Sequence, residues 1–109
     1  MIRVRVKGNP DRIEGFTVWG HARFARRGTD VVCAGVSAVA TTALIGLTSL
    51  VPGSARYRVL PQGLIYCRLK EDLPPDKARE AQAILKTMTL GLLAIREEYK
   101  GTMDFTYRR

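Results

Sequence analysis

The chain has one histidine, His21, and two cysteines, Cys33 and Cys67. His21 and Cys33 stand on either side of a basic stretch, Arg23 to Gly28, interrupted by glycine. An imidazole brought against a thiol is the smallest activated-thiol pair. The ring takes the thiol proton, stabilises the thiolate and later protonates a leaving amine. Asp30 reads as the N-cap of a long apolar helix, because its carboxylate can accept hydrogen bonds from the next backbone N–H groups. That reading puts Cys33 in the first turn, where unpaired N–H groups and the positive end of the helix dipole favour a thiolate. The same N–H groups suit the oxyanion of a tetrahedral intermediate. Ser37 falls one turn beyond Cys33 on the same face, where it can meet substrate or support the cap. The competing reading is structural: buried cysteines are commonly inert, and a lone histidine is often only a satisfied polar residue. Cys67, inside a strand pattern with no histidine near it in sequence, reads as core.

The elements that must position these residues follow from hydrophobic period. Ile2, Val4 and Val6 alternate with Arg3, Arg5 and Lys7, which predicts a strand with one basic face. Asn9-Pro10-Asp11 turns the chain into a less regular extended stretch, Arg12 to Gly20, so the two form a hairpin ending beside His21. From Val31 to Ser54 there is no charge, yet Val32, Val36, Val39, Ala40, Ala43, Leu44, Leu47, Leu50 and Val51 share one arc. Gly35, Gly46 and several Ser and Thr share the other, so a helix buried on one side is expected rather than a membrane span. Those small residues would admit another backbone, which predicts a homodimer. Pro52-Gly53 stops this helix. Two short strands joined by Pro61-Gln62-Gly63 come next. An amphipathic helix from about Pro75 follows, with Ala78, Ala81, Leu85, Met88, Leu92, Ile95 and Tyr99 on one face. Gly101 ends it, and Met103, Phe105 and Tyr107 alternate as a last strand. The order β-β-α-β-β-α-β predicts an α+β fold, two helices on a mostly antiparallel sheet, as a single domain over residues 1–109.

Composition narrows the function classes. With 18 Lys and Arg against 10 Asp and Glu, the net charge of +8 favours anionic surroundings such as nucleic acid or the ribosome. One His and two Cys cannot complete a four-ligand zinc site, so no metal is expected. No Gly-rich phosphate loop is present, and no cofactor is expected. The charged, alternating N-terminus has no apolar signal core, which predicts a cytoplasmic protein.

Gly20-His21-Ala22, then Gly28, then Asp30-Val31-Val32-Cys33-Ala34 and Val36-Ser37 closely resemble the signature of the ribosomal-processing cysteine protease (Prp) family. The element order and Glu98-Tyr99 near the second helix end extend the likeness over nearly the whole chain. The resemblance implies a homodimeric cytoplasmic endopeptidase that removes the N-terminal extension of a large-subunit ribosomal protein. It puts the nucleophile on Cys33 and the base on His21, with Gly20, Asp30, Ala34 and Ser37 as supporting or substrate-binding positions. It also implies an apolar groove for the residues before the cleaved bond. Gly35, where Ala is more usual, and the tail from Lys100 to Phe105 depart from the family pattern without touching the pair.

Two other readings remain open on the residues alone. A basic ribosome- or RNA-associated binding protein with structural Cys and His would use the +8 charge and the Arg3, Arg5, Lys7 face. A thiol redox enzyme would use Cys33 alone, although the chain lacks a C-x-x-C pair.

Overall fold

A computed structural model describes residues 1–20 and 27–109, the first four of the latter stretch by backbone alone. The alternating N-terminus is strand β1 (Ile2–Asn9), followed by β2 (Arg12–Trp19), helix α1 (Arg27–Leu50), β3 (Ala55–Val59), β4 (Ile65–Leu69), helix α2 (Pro75–Glu98) and β5 (Met103–Arg108). The five strands form one sheet in the order β3-β4-β2-β1-β5. The β1–β2, β2–β4 and β3–β4 pairs are antiparallel, and β1–β5 is parallel. This is the expected α+β architecture, mostly antiparallel, with its one parallel pair made by the last strand.

The irregularity of β2 has a local cause. Lys7 pairs with Gly15 but Gly8 pairs with Ile13, so the register slips there and Glu14 has no opposite residue. Ile13 and Phe16 are three apart and would face opposite ways in a regular strand. The bulge turns both into the core, where they are at most 2% exposed. Gly8 carries this bend at φ +110°, and a Cβ there would strike the carbonyl oxygen of Arg12. Gln82 of α2 then closes the bulge like a short strand: Ile13 N–H donates to its Oε1 at 2.9 Å, and its Nε2 donates to the Ile13 carbonyl at 2.6 Å.

Both helices cover one face of the sheet, and a single apolar cluster joins Val4, Val6, Phe16 and Cys67 to Val36, Leu47, Leu85 and Leu92. Leu47, Leu85 and Leu92 are no more than 1% exposed, and cutting any one to alanine would cost about 2–5 kcal/mol. Residues Val31–Leu50 are long and apolar enough to cross a membrane by composition. Their inner stripe, Val32, Val36, Ala40, Leu44 and Leu47, is instead buried in this cluster. The small residues of α1 admit α2 of the same chain: a Cβ on Gly46 would lie 3.4 Å from Ile84, and one on Gly35 would lie 3.7 Å from Ile95. Gly91 of α2 returns the contact to Val39.

Helix α1 corrects one expectation. It begins at Arg27, so Asp30 is a helical residue rather than the cap, and Cys33 lies in the second turn. A glycine at position 28 does not prevent this, because the first four helical N–H groups have no i−4 carbonyl to reach and a weak helix former costs little there. Leu50, expected on the inner arc, is 66% exposed at the helix end.

Candidate active site

Cys33 sits where the sheet meets the start of α1. It is half-buried and packs at the edge of the core, with its thiol free. Beside it lie Ile2 from β1, Val18 and Trp19 from β2, and Val36 and Ser37 from α1, around a recess of only about 10 Å³. Two strand ends and one helix face therefore converge on the sulfur. Ser37 stands one helical turn from Cys33 and lines the same recess, as the spacing predicted. Ala34, the next residue along, is exposed.

Gly20 ends β2 at this place. Its φ of +90° is the left-handed region, and a Cβ there would come within 2.6 Å of the Met1 carbonyl oxygen. Only glycine turns the chain here without strain. The next residue, His21, lies outside the described residues, as do Ala22 to Arg26 and the side chain of Asp30.

Sequence reasoning missed Trp19 and Ile2 as neighbours of Cys33. Trp19 precedes His21 by two positions on a strand, and that spacing was the available signal. Its ring also carries Arg5, whose guanidinium carbon lies 5.5 Å from the ring centroid while Nη2 donates to Asp104 at 2.9 Å. The Arg5 cation thus braces the indole.

Cys67 has the opposite setting. It pairs with Phe16 across β2 and β4 and is 1% exposed. Burial pushes its thiol up to about 12, which leaves it protonated and unreactive near neutrality. Among the described residues no three His, Cys, Asp or Glu side chains gather as a metal site. Larger depressions lie elsewhere, among them one of about 760 Å³ around Arg56, Arg68 and Glu71, one of about 680 Å³ around Ile13, Leu69 and Gln82 and one of about 580 Å³ between the two helices.

Comparison with known proteins agrees over the whole chain. The family model for the cysteine protease Prp matches residues 1–104. A ribosomal processing cysteine protease Prp of Bacillus subtilis (strain 168) is 33% identical, covering 97% of this chain and 96% of that protein. Its Staphylococcus aureus counterpart is 36% identical over 99% of this chain and all of its own length. The crystal structure of the S. aureus protease with a covalently linked product peptide superposes with a TM-score of 0.81 at 29% identity, over 99% of this chain and 100% of that one. The same protease with a substrate peptide gives a TM-score of 0.79. With a cysteine presented at the edge of the core and a family match running from the first strand into the last, the chain belongs to the cysteine protease Prp family.

Proposed function

We propose that this cysteine protease cuts with a Cys33–His21 pair and removes the N-terminal extension of a large-subunit ribosomal protein. The observation that carries the reading is the placement of the half-buried Cys33 beside the end of β2, where Gly20, the residue before His21 in sequence, takes a left-handed turn. The relatives' own designation as ribosomal processing proteases supports the substrate class.

The chemistry follows from the residues. His21 takes the Cys33 proton, Sγ attacks the scissile carbonyl, and the tetrahedral intermediate collapses as the C–N bond breaks. The leaving amine takes its proton from the imidazolium. Water, deprotonated by His21, then cleaves the thioester and returns the thiol. The helix dipole acts over the first turn and fades before the second, so removal of the thiol proton falls to the imidazole. Asp30, one turn before Cys33, and Ser37, one turn after, support the pair, and Ala34 and Gly20 border the peptide. Ile2, Val18 and Trp19 supply an apolar surface for the residues before the cut bond.

The protein works as a homodimer in the cytoplasm, in association with the ribosome. The helices carry an apolar groove lined by Ala38, Thr42, Gly46, Ala83, Thr87 and Gly91, with Ile45 and Leu90 more than half exposed on the same helices. A second copy laid there would cover them; sedimentation showing only a 12 kDa species at micromolar concentration would defeat the dimer. The cleavage reading is tested by incubating the host's large-subunit ribosomal proteins, in precursor form, with wild type and Cys33→Ala. Mass spectrometry should show an N-terminal peptide lost only with the wild type; no cut in any precursor would sink the reading.

A further inference from the structure

The helices leave one face of the sheet bare. Strand register lines up its side chains in rows. One row, read across the whole sheet, is Arg56, Arg68, Gly15, Lys7 and Arg108. Four cations from four strands thus stand in line, with a glycine at the centre. At about 4.8 Å between strands the row spans roughly 19 Å. A side chain at Gly15 would come within 2.5 Å of the Cys67 carbonyl oxygen, so this position stays bare and the row has a trough in its middle. The trough belongs to a depression of about 470 Å³ that also includes Thr17, Tyr66 and Trp19.

The next row, Arg58, Tyr66, Thr17, Arg5 and Thr106, adds an aromatic ring and two hydroxyl-bearing threonines. In the row beyond these, Arg3 pairs with Asp104, whose carboxylate is already engaged by Arg5. None of the four cations in the first row forms an ion pair among the described residues. Glu71 and Asp72 follow at the end of β4, beside Arg56 and Arg68 at the rim of the face.

Unpaired cations in a line repel one another, and a linear anion laid along them would offset that repulsion. A second copy of the same face would add like charge. A line of charge with a stacking ring and hydroxyls beside it suits a nucleic-acid single strand, whose phosphates meet the cations while a base lies on the ring. Thr17 and Tyr66 supply hydroxyl partners for a ribose 2′-OH, which DNA lacks. We propose that this bare sheet face docks single-stranded RNA, with Arg56, Arg68, Lys7 and Arg108 on the phosphates and Tyr66 under a base. The cations of this row stand apart from Cys33: along β2 the central row lies four residues from Trp19, which borders both surfaces, about 13 Å at 3.3 Å per residue.

The test uses the full chain and a fluorescent 12-nucleotide single-stranded RNA of mixed sequence, followed by anisotropy across a salt series. Wild type should bind with a negative slope of log affinity against log salt. Lys7→Gln with Arg68→Gln should weaken binding at least tenfold and reduce the slope by about 1.4, since each phosphate left without its cation accounts for roughly 0.7. Lys77→Gln with Arg79→Gln, which removes the same charge from α2, should change affinity less than threefold. The row variant should still cut an N-terminal extension peptide at the wild-type rate, so failure of RNA docking and failure of the protease reading are told apart. Equal weakening in both double variants would reduce the effect to net charge and overturn the proposal. RNA binding no tighter than that of the matching DNA, or binding to phosphatidylserine vesicles without RNA binding, would overturn it as well.

Discussion

The two cysteines of this chain occupy opposite kinds of place. Cys33 stands at a junction, where two strand ends and a helix face leave it half-buried. Cys67 stands in the interior of a strand, between neighbours that fill all the space around it. The residue type is the same, and the difference lies in what surrounds it. At the junction β2 ends and the chain turns at Gly20. In the strand interior the ladder continues on both sides, and the sulfur serves only as a small apolar filler.

The sharpest way to break this comparison is to exchange the consequences. Cys33→Ala should lower peptide cleavage by at least about 10³-fold with the melting transition nearly unchanged. A variant that still cuts would remove Cys33 from the chemistry. Gly20→Ala comes next: the left-handed φ and the Met1 carbonyl oppose a Cβ, at a cost of about 1–3 kcal/mol. Because the strained residue precedes His21, kcat/KM should fall along with the urea midpoint. A full-rate enzyme of lowered stability would show that Gly20 serves the fold alone.

Cys67→Ser should do the reverse of Cys33→Ala. A hydroxyl without a partner in that apolar place costs about 1–3 kcal/mol, while the folded fraction keeps wild-type cleavage. In the native wild type, iodoacetamide should label Cys33 and reach Cys67 only after denaturation. The smallest effect is in pH. Burial raises the Cys67 thiol from 9.0 to about 12, so above pH 9 the unfolded chain releases a proton that the folded chain keeps. Stability relative to a Cys67→Ala variant should therefore be flat below pH 9. It should fall as pH rises from 9 toward 12, by about 1.4 kcal/mol at pH 10. A difference that stays constant across that window would mean the thiol is not shielded.

The comparison also explains what could be read from the sequence. Strands β1 and β5 and both helices were legible because their apolar residues repeat at the period of the element that buries them. The bulge in β2 was not: Ile13 and Phe16 look out of phase until the slip between Lys7 and Gly8 is known, and pairing register is not a local property. The start of α1 was misjudged because Gly28 and Asp30 look like punctuation, whereas the first turn tolerates both. At the site, His21, Cys33 and Ser37 stood out by type and spacing. Trp19 and Ile2 did not, since their approach to Cys33 depends on how strands and helix come together. The cationic row was hidden for the same reason: Arg56, Arg68, Lys7 and Arg108 come from four separate segments and align only through register.

The parallel pairing of β1 with β5 bears on when this enzyme can become active during its own synthesis. Ile2 lies beside Met103 and Val6 beside Tyr107, so the first strand made is completed by the last. Until β5 emerges, β1 remains an open sheet edge, and Ile2, which lines the recess beside Cys33, lacks its neighbour. Closing a loop of this length is slow compared with forming either helix. A nascent chain held short of Met103 should therefore leave precursors uncut, and release of the finished chain should restore cutting.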